Sequence, residues 1–134
     1  MSNNPLALKI IDFSISSKLK KENDYQVFTC DGNVYFTSPE QFFTIDKGFL
    51  GKPTDIWTLG VSLFLYVSEE FPFSGETQFE IELATRDKTP KFPDHFSKEL
   101  IEVLSAMLCK DPLKRPTIEE LPKFTFFKNL NDYI

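Results

Sequence analysis

The spacing of apolar positions changes several times along this chain, and each change marks a predicted element. Leu6 to Phe13 (LALKIIDF) alternates weakly and is rich in Leu and Ile, which predicts a short buried strand. Ser14 to Gly32 has no apolar period and carries Lys, Glu, Asn, Asp and Ser, the composition of a surface loop long enough to serve a function. Pro39 suits the first turn of a short helix through PEQFF, where its missing N–H costs nothing. A linker containing Gly48, Gly51 and Pro53 follows, and Thr54 is placed to cap a helix running from Asp55 to about Ser68. Within it Ile56, Trp57, Leu59, Val61, Leu63, Phe64, Leu65 and Val67 cover nearly every face. A helix that is apolar all round has to be surrounded by protein.

Downstream the pattern turns amphipathic. Glu76 to about Thr85 predicts a more exposed helix whose apolar members are Phe79, Ile81 and Leu83. Lys88 to Asp94, with Pro90 and Pro93, is a loop. Ser97 caps a helix with Leu100, Ile101, Leu104, Met107 and Leu108 on one face, and Asp111-Pro112 ends it. Thr117 begins a short helix through Leu121, and Phe124, Phe126 and Phe127 close the domain. One strand followed by five or six helices around a buried central one is a mainly α fold, and 134 residues make one small domain or part of a larger one.

Composition narrows the function classes. Hydrophobic residues are 41% of the chain and Phe alone occurs 15 times, enough apolar stock for a real core and against disorder. The formal net charge of −5, with no basic stripe, argues against nucleic acid or an anionic membrane as partner. Cys30, Cys109 and the single His95 form no metal-ligand spacing and no disulfide framework, so free thiols in a reducing compartment are expected. No basic-then-apolar signal opens the chain, and the apolar run Ile56 to Val67 is too short to span about 30 Å of hydrocarbon. A soluble cytoplasmic protein is expected, with the nucleus as the alternative.

Several stretches then resemble, in order, the C-terminal lobe of the eukaryotic protein kinases. LKIIDFS is similar to the family's strand and D-F-G motif, and GNVYFTSPE to G-T-x-x-Y-x-A-P-E. KPTDIWTLGVSLFLYV resembles the D-x-W-S-x-G-V helix, and EEFPFSG the G-x-x-P-F turn behind it. LIEVLSAMLCKDPLKRPTIEEL resembles the L-x-x-x-M-L-x-x-D-P-x-x-R-P-T segment near the domain end. Within the family, GKPTDIWTLGVSLFLYVSEEFPF and the spacing through FPDHFSKEL look most like the calmodulin-dependent kinase kinase branch. The resemblance implies a partial kinase domain over residues 1–134, with MgATP as cofactor of the complete domain and a protein as substrate, another kinase being one option.

What the resemblance implies for single residues is specific. Asp12 is the magnesium ligand, because a carboxylate on a rigid support can hold the ion that bridges phosphate oxygens. Ser14 stands where the family has glycine, and Asn33 where it has a threonine that positions the catalytic base. Thr29 is the leading regulatory phosphosite of the activation segment, ahead of Tyr35 and Thr37. Glu40 and Arg115 form a buried structural ion pair, Asp55 anchors the backbone of the catalytic loop, and Trp57 belongs to the core.

The sequence also lacks parts of the family pattern. There is no G-x-G-x-x-G, no V-A-I-K-type lysine strand and no H-R-D-x-x-x-x-N, so no catalytic base is assigned within residues 1–134. TRDKTPKF contains Arg86-Asp87 but falls where the family has a surface loop. Catalysis is not expected from this stretch alone. Leaving about 300 Å² of the central helix uncovered would forfeit about 7 kcal/mol, against a typical stability of about 5–15 kcal/mol. The alternative function is therefore a kinase-like binding module that docks partners through the Glu76–Thr85 helix and its neighbours.

Overall fold

The computed structural model describes residues 9–18, 25–26, 32–43 and 48–128. Two strands, β1 (Tyr25–Gln26) and β2 (Phe49–Leu50), form a short antiparallel ladder with Tyr25 opposite Leu50 and Gln26 opposite Phe49. The helices are α1 (Pro39–Phe43), α2 (Gly51–Ser68), α3 (Gln78–Asp87), α4 (Lys98–Met107) and α5 (Thr125–Lys128). Tight 3-10 turns occupy Val34–Phe36, Pro112–Lys114 and Leu121–Lys123. The mainly α architecture agrees with the sequence pattern, but the two short strands fall in the stretches read as loop and linker, with α1 between them.

The core forms where α2 crosses α4. Trp57, Val61, Val103, Leu104 and Met107 are fully buried there, joined by Phe64, Phe73, Phe96 and Leu121. Gly60 permits this approach, because a Cβ on it would lie 2.9 Å from Met107 Cβ. Ser97 caps α4 by accepting a hydrogen bond from the Leu100 N–H at 3.2 Å. Thr77 caps α3 with a reciprocal box: its hydroxyl accepts from Glu80 N–H while the Glu80 carboxylate accepts from Thr77 N–H. Phe124, Phe126 and Phe127 pack against the rim of the core.

Several expectations need correction. α2 begins at Gly51, so Thr54 lies inside it and Leu50 takes the cap position without a side-chain bond. Pro53 is tolerated there because the first turn has no intrahelical acceptors for its N–H groups. Thr54 instead turns its hydroxyl back to Leu50 O at 2.9 Å. α3 is set two residues later than the pattern implied by its own capping box, at Gln78–Asp87. Thr117 starts a turn rather than a helix, since Pro122 removes an amide that an α-helix there would need.

Two further differences concern exposure. Residues 9–13 are not in a strand, and Ile10 and Ile11 are 78% and 79% exposed. A strand needs a neighbour for its ladder, and no described strand lies beside this stretch. Nor is α2 surrounded on all sides: Leu59 is 45% and Tyr66 86% exposed. With Asp55 and Ser62 they make one open stripe at helical spacing.

Candidate functional site

Asp12 sits in a tight turn with φ 60°, a left-handed conformation that a short polar side chain tolerates better than most. Its Oδ1 accepts from Ser14 Oγ at 2.7 Å and from Ser14 N–H at 3.3 Å. The Ser14 hydroxyl, helped by the Ser14 amide, lowers the Asp12 pKa and keeps the carboxylate ionised. A serine in this position thus supplies a donor that glycine lacks. Ser16 closes the turn, its hydroxyl donating to Phe13 O at 2.7 Å. The whole turn is exposed.

A second assembly is buried and lies on α1, α2 and the segment after α4. Arg115 Nη1 and Nη2 donate to Glu40 Oε1 and Oε2, each at 2.7 Å, a two-pronged pair across 75 positions of sequence. The Arg115 side chain is fully buried and Glu40 nearly so. Arg115 also donates Nε to Cys109 O at 2.8 Å and Nη1 to Pro53 O at 2.9 Å. Thr54 Oγ1 adds a bond to Glu40 Oε1 at 3.1 Å. The charges are therefore desolvated but well satisfied, the condition under which a buried pair is tolerated.

Trp57 lies beneath this pair, with the Arg115 guanidinium 4.9 Å from its ring centre. Its other neighbours are Phe73, stacked at 5.5 Å, and the Lys110 ammonium at 5.1 Å. Trp57 Nε1 is buried without a hydrogen-bond partner among the described residues, a cost of about 1–3 kcal/mol that the packed ring offsets. The sequence marked Thr54 only as a helix cap, and Pro53 O and Lys110 carried no signal for this assembly. Their contacts bridge distant segments, and no spacing rule links them; only the R-P-T pattern hinted at a buried arginine.

Asp55 occupies the open stripe of α2. Its carboxyl has no hydrogen-bond partner among the described residues, and the atoms packed around it displace enough water to raise its pKa. It borders a groove of about 610 Å³ lined chiefly by Leu50, Pro53, Ile56, Leu59, Pro112 and Ile118. Asn33 caps the 3-10 turn Val34–Phe36, its Oδ1 accepting from Tyr35 N–H at 3.1 Å. Tyr35 in turn stacks on Phe71 at 4.3 Å. Arg86 and Asp87 form an exposed pair at 2.6 Å that extends over Phe43. Thr29 lies outside the described residues.

Among the described residues no group of three or more His, Cys, Asp or Glu side chains could hold a metal ion. Asp12 nevertheless offers a hard, ionised oxygen donor, which fits one position of a magnesium site whose other ligands are phosphate oxygens and water. No helix of the described residues is long and apolar enough to cross a membrane.

Comparison with known proteins bears on this arrangement. The protein kinase domain model matches residues 1–127. The serine/threonine-protein kinase ppk34 of Schizosaccharomyces pombe is 37% identical over 119 residues, covering 89% of this chain and 33% of that protein. CBL-interacting protein kinase 20 of Oryza sativa subsp. japonica is 32% identical over 122 residues, 90% of this chain and 26% of the relative. The 3-phosphoinositide-dependent protein kinase 1 of Caenorhabditis elegans is 30% identical over 119 residues, 89% and 18% respectively. The chain thus spans at most about a third of the length of these relatives. With nearly all of it matched by the domain model, the chain belongs to the protein kinase family.

Proposed function

We propose that this chain is part of the catalytic domain of a serine/threonine protein kinase, which transfers the terminal phosphoryl group of MgATP to hydroxyl groups of protein substrates. The observation that carries the reading is the Glu40–Arg115 fork, which ties the SPE stretch to the RPT stretch directly over Trp57. In this reading the fork is structural. It fixes the end of the activation segment on the core, so that a substrate meets a rigid surface.

Asp12 is the residue assigned to magnesium, and Ser14 orients its carboxylate. Magnesium, when bound, neutralises charge on the phosphate oxygens during transfer. Asp55 is assigned to accept backbone N–H groups of a catalytic loop, a role that suits a partly desolvated carboxylate with no described partner. Thr29 is the candidate activating phosphosite, and a kinase substrate follows from the likeness of GKPTDIWTLGVSLFLYVSEEFPF to the calmodulin-dependent kinase kinases. The cytoplasm or nucleus is the proposed location.

Residues 1–134 alone are proposed to be inactive, because positioning and charge stabilisation make up most of phosphoryl transfer. The test reads the transcript upstream of Met1 and assays the full translated product with labelled ATP and a basic protein acceptor. An H-R-D-x-x-x-x-N stretch with a lysine-bearing strand, and transfer abolished by D12N, is the expected result. Transfer unaffected by D12N would overturn the assignment of Asp12. A second reading, a kinase-like binding module, is favoured by the exposed Leu59 and Tyr66. A stably folded, monomeric 134-residue product that binds another protein but not ATP would select it.

A further inference from the structure

TRDKTPKF leaves the end of α3 and crosses the surface as an unpaired stretch. Lys88 closes the helix, its N–H donating to Ala84 O at 3.0 Å, and its backbone is already extended at φ −95° and ψ 148°. Residues 88–93 form neither helix nor strand, and Phe92 packs back against Phe64 and Phe96 at ring distances of 6.0 and 6.4 Å. Between these anchors Thr89 and Lys91 are exposed. Among the described residues nothing hydrogen-bonds to the backbone of residues 89–92 or to the Thr89 hydroxyl. Pro90 favours this state, since it has no N–H to pair and biases Thr89 toward an extended backbone.

The sequence contains one other Ser or Thr followed by proline, Ser38-Pro39, and its setting is the opposite. Ser38 is fully buried, its amide and hydroxyl both donate to Gln41 Oε1 at 2.9 Å, and Pro39 starts α1.

We propose that Thr89 is a phosphorylation site, the acceptor for a separate protein kinase that recognises proline next to the target hydroxyl. An enzyme that grips an extended peptide needs free backbone groups, and here no native bond has to be broken to supply them. Thr89 Oγ attacks the γ-phosphorus of the MgATP held by that enzyme. The new O–P bond forms as the bond to the β–γ bridging oxygen breaks, ADP leaves, and the hydroxyl proton passes to a carboxylate of the enzyme. The phosphate adds about −1.5 to −2 charge. Arg86, Lys88 and Lys91 stand within three positions of it, against Asp87 alone. Arg86 belongs to α3 and is forked on Asp87, so an enzyme that reads arginine three positions before the hydroxyl meets it in a helix and already paired. Thr89 is here a substrate, and its modification does not require the chain itself to be active.

The test treats the full translated product with labelled MgATP and a purified proline-directed kinase of the mitogen-activated class, with sites mapped by peptide mass spectrometry. A parallel reaction without added kinase subtracts label that the product places on itself. Synthetic peptides of residues 84–95 and 33–44 are run beside it. Thr89 is expected to take up phosphate in the folded product, with Ser38 ~100-fold slower because it has to be opened locally first. The two peptides, which lack the fold, should react at comparable rates. A basic-directed kinase should leave Thr89 in the folded product unmodified. The proposal is overturned by an unmodified Thr89 under the proline-directed kinase, by Ser38 reacting as fast, or by peptides that discriminate as strongly as the product. Phosphate placed on Thr89 by the basic-directed kinase at an equal or greater rate would overturn the enzyme class.

Discussion

Asp12 and Arg115 both carry charge, but their surroundings differ in almost every respect. Asp12 stands in an exposed turn held by one neighbouring serine. Arg115 is buried with bonds to Glu40, Cys109 O and Pro53 O and an aromatic face below it. The difference separates two kinds of functional residue. A group that meets a ligand has to keep open valences and contributes little to stability. A group that holds the scaffold has every valence used, and its loss strands its partners.

The largest test of that contrast is Arg115→Ala, which takes both guanidinium bonds away from the nearly buried Glu40 carboxylate. It is expected to lower stability by about 3–5 kcal/mol in chemical denaturation, and Arg115→Lys should recover only part of this because it lacks the fork. Next is Gly60→Ala. Its Cβ would come 2.9 Å from Met107 Cβ, and forcing α2 from α4 is expected to cost about 1–3 kcal/mol, read as a lower thermal midpoint.

Lys110 sharpens the comparison through pH. Its folded pKa is lowered from 10.5 to about 8, chiefly by desolvation. Below the folded pKa both states carry the proton. Between the two values the unfolded chain binds more protons, so stability rises with pH across that window. Solvent on the open side of Lys110 limits the gain to about 1–2 kcal/mol, and Lys110→Met should flatten the profile when unfolding is measured across it.

The smallest effects belong to the open regions. Tyr66→Lys, on the bare stripe of α2, should change stability by less than about 0.5 kcal/mol in chemical denaturation. Ser14→Ala removes the 2.7 Å bond to Asp12. The Asp12 carboxyl should then titrate closer to the ordinary aspartate range, visible by carbon NMR, with the unfolding midpoint unmoved.

Much of the scaffold was legible because local chemistry and burial agreed. Pro39 marked α1, Ser97 capped α4, and the dense apolar run located α2. The start of α2 was misplaced because Thr54 has the chemistry of a cap, yet its hydroxyl serves Leu50 O and Glu40 instead. The all-round burial of α2 was also misread. Apolar residues report where protein can pack, and the described residues leave Leu59 partly and Tyr66 largely uncovered. Residues 9–13 show the same limit: strand-forming residues do not make a strand without a pairing edge. Lys110 was invisible from sequence because its contacts are with Trp57, Phe73 and Thr85, which no periodicity connects.

The central claim is that the buried fork between Glu40 and Arg115 locks the SPE stretch at α1 onto the core. A double-mutant cycle with Glu40→Gln, Arg115→Met and the pair, followed by urea unfolding, tests it most directly. A coupling of about 2–3 kcal/mol is predicted, with the double variant more stable than the sum of the single losses allows. Additive losses, with no coupling between the two positions, would contradict the account.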